Sequence, residues 1–349
     1  NILDTPGLDD FIGEIASAMR VADTVAVVVN AQHGVEVGTE IIWNYTDRFR
    51  KPTLFVINQI DHPKANFDES VQSIKSQFGN NATVVQYPIT VDGSQCIIDV
   101  LKMKMYKFGP EGGKPEKLPI PDSEQEKADQ LHNELVEKAA ENDEELMELF
   151  FDKGTLNEDE MRQGIKIGML NHDLFPVFCV SALLDMGSGR LMGFIDNVAP
   201  AAKDLGNEQS VEGEQISSDK SQPTSLFIFK TLHEPNLGQI SFFKVKSGEV
   251  KAGDKLKNAR TGDEEGINQL FIMDGAKRTP VDKLSSGDIG ATLKLKHTET
   301  NDSLYSGSKT VTIKPIVFPD ARIRKAMSAK NKRDDEKLVE SLKKIASQD

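Results

Sequence analysis

Apolar positions over the first 80 residues switch between two periods. Ile15, Ala18, Met19 and Ala22 recur at helical spacing over residues 11–22, and Val25-Ala26-Val27-Val28-Val29 follows as a β-branched run suited to a strand buried on both faces. The pair then repeats. Ile41, Ile42, Tyr45 and Phe49 mark a helix, Leu54-Phe55-Val56-Ile57 a strand, and Phe67, Val71, Ile74 and Phe78 another helix. This alternation predicts a parallel sheet covered by helices on both faces. The opening Asn1-Ile2-Leu3-Asp4 reads as the tail of a further strand with no initiator Met before it, so the chain is expected to be a piece of a longer protein.

From about residue 83 to 170 the alternation is interrupted. A strand-like stretch runs from Ala82 to Ile89, a Gly/Pro-rich turn sits at Gly109-Pro110 and Gly112-Gly113, and acidic helices follow, as expected of an inserted lobe. The pattern resumes at Pro176-Val177-Phe178-Cys179-Val180 and a helix from about Gly189 to Val198. Residues 204–223 turn to Gly, Ser, Gln, Asn and charge, which predicts a linker or mobile loop. Beyond Thr224, short strands are divided by turn signals at Pro235-Asn236, Ser247-Gly248, Ala252-Gly253-Asp254, Thr261-Gly262-Asp263 and Ser286-Gly287-Asp288, the signature of a β-barrel. Ile313 to Val317 is expected as strand. Leu338, Val339, Leu342 and Ile345 form one stripe of a last helix, which would need a further, cut-off α+β domain to cover it.

Composition narrows the class. With 349 residues, 38% apolar and 28% charged, the chain is in the globular range and long enough for two or three domains. Its apolar runs fall far short of the roughly 18 residues a membrane span needs. Cys96 and Cys179 match no metal or redox spacing and are expected as buried free thiols, which suits a reducing cytoplasm. The net charge of −13 is uneven, because residues 111–160 hold 17 Asp or Glu against 5 Lys. Such a block repels phosphate backbones, leaving a basic protein or plain solvent as its neighbour.

Three strand-end elements carry chemistry. Asp4-Thr5-Pro6-Gly7 offers a carboxylate that would hold Mg2+ through water and a glycine N–H that would touch a terminal phosphate, although the same residues also make an ordinary turn. Asn58-Gln59-Ile60-Asp61 ends a buried strand, where open α/β sheets place ligand contacts. An Asp carboxylate there can accept from both N1–H and N2–H2 of guanine, an edge that adenine lacks. Ser181-Ala182-Leu183 ends the last strand of the alternation.

In this order the motifs resemble those of translational GTPases, and the wider detail is similar to elongation factor G. It covers Asp4-Thr5-Pro6-Gly7, Ser17-Ala18-Met19-Arg20-Val21, Gly34-Val35-Glu36, Ile97-Ile98-Asp99-Val100, Pro176-Val177-Phe178, and Phe318-Pro319-Asp320 leading to Asp335-Glu336-Lys337-Leu338. The resemblance implies a multidomain α/β plus β chain: a P-loop NTPase-like G domain at 1–203 with an acidic α/β insert at about 83–170, and a linker at 204–223. A translation-factor β-barrel at 224–310 and the start of an α+β domain at 311–349 would complete it. It implies GTP/GDP and Mg2+ as cofactors, with Asp4, Thr5, Pro6, Gly7, Asn58, Gln59, Asp61, Ser181, Ala182 and Leu183 at the nucleotide and Asp4 at the metal. It further implies a cytoplasmic monomer acting on the ribosome in translocation, touching ribosomal RNA and ribosomal proteins including the stalk protein.

Three departures qualify that expectation. No G-x-x-x-x-G-K-[ST] phosphate loop occurs in the sequence; in the family it precedes the position of Asp4, so weak or no GTP binding is expected of this chain by itself. The family follows Asp-Thr-Pro-Gly with a His that orients the attacking water, and here that position is Leu8. Leu cannot hydrogen-bond water, and neither Asp9 nor Asp10 is a good substitute beside phosphate, so GTP hydrolysis is expected to be slow or absent. The family's Lys between Asn and the next apolar residue is Gln59, shorter and neutral. A ribosome-stimulated GTPase, a ribosome-docking factor gated by nucleotide without hydrolysis, and a ribosomal-protection-type paralogue are the competing functions.

Overall fold

The structure, a computed structural model, describes residues 1–234, 237–320 and 323–346, so the turn expected at Pro235-Asn236 lies outside the described residues. The chain divides into two compact units, Asp23–Ala201 and Asn1–Ala22 together with Ala202–Asp349.

The second unit opens with α1 (Ile12–Val21); the first begins at β1 (Val25–Asn30) and alternates through α2 (Val37–Arg48), β2 (Thr53–Asn58) and α3 (Phe67–Phe78) to β3 (Ala82–Val84). A meander β4 (Gln86–Val91), β5 (Ser94–Asp99), β6 (Lys104–Gly109) and β7 (Gly112–Leu118) follows. Then come α4 (Asp122–Ala140), α5 (Glu144–Lys153) and α6 (Glu158–Asn171), and finally β8 (Phe175–Cys179) and α7 (Ser188–Asn197).

β1, β2, β8 and β3 form a parallel sheet in that order, while β4 to β7 form a separate antiparallel one. β2 and β8 are the inner strands. Leu54, Phe55, Ile57, Val177 and Cys179 are wholly buried there, which is why these segments read as unbroken apolar runs. The stretch from Ala82 to Ile89 is two strands rather than one: the chain leaves the parallel sheet at Val84 and enters the meander at Gln86. Helix starts follow local chemistry. Asn66 caps α3 by accepting from Glu69 N at 3.1 Å, and Asn157 and Glu160 make a reciprocal capping box on α6. α4 buries Ala128, Leu135, Val136, Ala139 and Ala140, and among its acidic residues none is fully buried. Both cysteines are buried and free, and burial raises each thiol's pKa.

In the other unit, residues 1–7 have no regular structure. The strand tail expected at Asn1-Ile2-Leu3-Asp4 is therefore not seen; no strand among the described residues pairs with it and Ile2 is 78% exposed, so nothing rewards an extended register. Residues 204–223 contain a short hairpin, β9 (Glu208–Gln209) with β10 (Gln215–Ile216). Among the described residues ten strands follow: β11 (Ser225–Glu234), β12 (Gly238–Ser247), β13 (Glu249–Lys251), β14 (Lys255–Asn258), β15 (Glu264–Gly266), β16 (Leu270–Asp274), β17 (Lys277–Val281), β18 (Lys283–Ser285), β19 (Ile289–Leu293) and β20 (Ser303–Tyr305). Eight of them pair antiparallel in the order β15-β14-β20-β11-β12-β19-β16-β17, and β13 pairs with β18. Leu226, Ile228, Phe243, Val245, Leu256 and Leu304 lie in their common core. The Gly-containing turns at Gly248, Gly253, Gly262 and Gly287 fall between strands where the sequence places them.

The strand expected over Ile313 to Val317 is also absent. Pro315 removes a backbone donor, and the N–H groups of Ile313 and Ile316 instead bond Ser303 Oγ at 2.8 Å and Asn301 Oδ1 at 2.6 Å. The last helix, α8 (Asp335–Ala346), leaves Val339, Leu342 and Ile345 exposed.

Charged groups fasten α1 to the β strands of its own unit. Arg20 pairs with Glu208, which Lys246 Nζ reaches from the other side at 2.9 Å, and Lys230 meets Glu14 at 2.6 Å. Burial pushes the Lys246 ammonium down to about 8 against the pull of Glu208. Burial alone would raise the Glu208 carboxyl, but the Lys246 and Arg20 charges outweigh it and hold it below the usual range. The unfolded lysine keeps its proton up to 10.5 and the folded one only to about 8. The folded state thus binds fewer protons in that window, and this group's contribution to stability rises with pH across it. Lys246→Met is expected to flatten that rise in denaturant-unfolding midpoints taken across the window; an unchanged slope would contradict the assignment.

Candidate functional site

The carboxyl ends of β1, β2 and β8 meet at one rim. Asn30 and Asn58 are register partners at the ends of β1 and β2, and Ile57 pairs with Cys179. Past the strand ends, Val180 N donates to Ile57 O at 2.9 Å and Ile60 N to Val180 O at 3.4 Å. These bonds seat the Asn58–Asp61 turn against the Ser181–Leu184 loop.

Asn58 clamps the two loops. Its Oδ1 accepts from Gln59 N at 2.8 Å and from Ala182 N at 3.0 Å. Ser181 is fully buried; its backbone bridges Met186 in both directions, and its Oγ accepts from Leu184 N at 3.2 Å. Leu183 is 84% exposed, so its side chain takes no part in holding the loop. Gly112 at the head of β7 lies so close that a Cβ there would collide with the Leu184 carbonyl oxygen, at a φ of +70° that also favours glycine. Behind the loop, Arg190 on α7 grips the buried Asp99 carboxylate with Nε and Nη2 at 3.0 and 2.6 Å.

Asp61 ends the first of these loops, and among the described residues its buried Oδ1 has no hydrogen-bond partner. A buried acceptor without a donor costs about 1–3 kcal/mol, more when it is charged, and a ligand offering N–H groups removes that cost. The N1–H and N2–H2 edge of guanine is such a ligand. The residues present therefore fit a guanine base.

Two residues that the motif reading did not single out join the rim. Asn30 Nδ2 and Gln32 Nε2 both donate to Gln59 Oε1, at 3.2 and 2.7 Å. The available signal was a polar residue ending the apolar run of β1, in the position that pairs with Asn58.

Asp4, Thr5, Pro6, Gly7 and Leu8 belong to the other compact unit. Asp4, Pro6, Gly7 and Leu8 are exposed, and the Leu8 carbonyl accepts from Phe11 N at 2.9 Å as the chain turns toward α1. Among the described residues no group of three or more His, Cys, Asp or Glu is arranged to hold a metal ion. The single carboxylate of Asp4 does not make a Mg2+ shell, and nothing in the chemistry below runs through the metal.

Similarities to known proteins agree with this arrangement. A family profile described as "Elongation factor Tu GTP binding domain" matches residues 1–201, and one described as "Elongation factor G domain 2" matches residues 223–307. The crystal structure of a protein from Thermus thermophilus aligns with a TM-score of 0.86 at 24% identity, which speaks to the fold. That alignment covers 99% of this chain and 50% of the other, so the chain spans about half the length of this relative. A parallel sheet with helices, an antiparallel β domain after it that matches the elongation factor G domain 2 profile, and a GTP-binding profile over more than half of its residues make this chain a member of the elongation factor G family of translational GTPases.

Proposed function

We propose that the protein is a guanine-nucleotide-dependent, ribosome-binding factor of the elongation factor G type that acts in translocation with slow or absent GTP hydrolysis. The observation that carries the nucleotide part is Asp61 Oδ1, buried and unpartnered beside the Asn58 to Ala182 clamp. In this reading Asp61 accepts from guanine N1–H and N2–H2, Asn58 keeps the two loops at a fixed separation, and the buried Ser181 holds the second loop in shape. The resemblance to the family also proposes Asp4, Thr5, Pro6 and Gly7 as contacts of the terminal phosphate. Leu8 leaves no hydrogen-bonding side chain at the position where the family holds its water-directing His.

The acidic insert, with 17 Asp or Glu against 5 Lys over residues 111–160, suits a basic protein surface; the stalk protein as a partner rests on the family resemblance alone. Family membership and the β domain support the ribosome as the wider partner and the cytoplasm as the place of action. Among the described residues no helix is long and apolar enough to cross a membrane.

Titrating the chain with guanosine and with adenosine tests the nucleotide reading. Guanosine is expected to shift the backbone amide signals of Asp61 and Ala182, and adenosine to leave them in place. Equal responses to both would overturn it.

A further inference from the structure

Gln59 does something its counterpart Lys would not do. It has a left-handed backbone, φ +66°, which costs a non-glycine residue about 1 kcal/mol or more unless the surroundings hold it. Its N–H donates to Asn58 Oδ1, its carbonyl accepts from His62 N at 3.0 Å, and its Oε1 accepts from both Asn30 and Gln32. Asn30 Oδ1 in turn accepts from Gln32 N at 2.8 Å, so the donors are themselves ordered. The four bonds made by Gln59 hold the turn that carries Asp61, two residues further on, and the two side-chain donors come from the end of β1 and the turn just after it, in the same unit.

We propose that Gln59 is a positioning residue for guanine recognition: its side-chain oxygen, bonded by Asn30 and Gln32, ties the Asp61 turn to the end of β1. The inference rests on the reading of Asp61 as the guanine contact. A Lys side chain has three donors and no acceptor, so it would face Asn30 Nδ2 and Gln32 Nε2 donor to donor. Glu keeps the length and the acceptor.

Guanosine binding by the whole chain, followed at the Asp61 and Ala182 amides, separates the outcomes. Gln59→Lys is expected to weaken guanosine binding roughly five- to tenfold, the usual worth of one or two partly exposed hydrogen bonds, although Lys is the family's residue. Gln59→Glu is expected to stay within about twofold of the parent chain on the same grounds. Because Gln59 is exposed, both variants should keep the parent's unfolding midpoint, so a loss of binding cannot be put down to misfolding. If Asp61→Asn weakens guanosine binding and Gln59→Lys does not, Gln59 is no positioning residue and the base reading survives. If Gln59→Glu falls as far as Gln59→Lys, the acceptor is not what matters and the proposal fails. If Asp61→Asn has no effect, the base reading falls and this inference with it.

Discussion

Asp61→Asn is expected to lower the preference of the site for guanosine over other nucleosides by roughly 10²- to 10⁴-fold, because two charge-assisted hydrogen bonds of about 1.5–3 kcal/mol each are at stake. The carboxamide retains one acceptor and turns an NH2 toward the guanine amino group, donor against donor. Xanthine carries a carbonyl where guanine carries that amine, so the same substitution is expected to raise xanthosine binding while guanosine binding falls. Competition titrations of guanosine against xanthosine on the parent chain and the variant measure both changes. The Asp61 side chain takes no part in the bonds that hold the rim: Ala182 N donates to Asn58 Oδ1 and Ile60 N to Val180 O without it, so the loops should stay in place. A variant that still prefers guanosine would mean that Asp61 Oδ1 is unpartnered for some other reason.

The second large effect concerns Leu8. On the proposal that Leu8 stands where the family holds its water-directing His, single-turnover GTP hydrolysis by the full-length protein on ribosomes is expected to be slow, and Leu8→His to raise it by roughly 10²- to 10⁴-fold, the usual worth of a positioned acid or base. The substitution is structurally mild, because Leu8 is 68% exposed and its only described bond, from Phe11 N, uses the main chain. Nucleotide affinity should hardly change, since in the proposed reading the guanine contact is Asp61, on the other compact unit. A parent protein that already hydrolyses GTP at the rate of its His variant would show that another group directs the water, and the binding-only reading would be lost.

What the sequence revealed follows burial. Leu54 to Ile57 and Pro176 to Val180 are legible because inner strands of a parallel sheet are apolar on both faces, and the helices between them because one face alone is apolar. Asn58, Asp61 and Ser181 are legible for a related reason: polar residues directly after such strands have nowhere to go but the rim. The break at Val85 is not legible, since β-branched and aromatic residues continue on either side of it and no turn residue marks the change of sheet. Nor is the role of Asn30 and Gln32. Each looks like the start of an ordinary turn, and only the parallel pairing of β1 with β2 sets them opposite Gln59. The two missing strands, at 1–4 and 313–317, show the converse. Apolar content there suggested extended structure, but a strand needs a partner, and neither segment has one among the described residues.

Guanosine against inosine is the sharpest comparison, because the two differ only in the 2-amino group. With Asp61 reading that edge, guanosine should bind this chain roughly ten- to a hundredfold more tightly than inosine, the worth of one charge-assisted bond, and the Asp61 and Ala182 amides should report it. Equal affinities, or shifts confined to other parts of the sheet, would contradict the assignment of Asp61 to guanine.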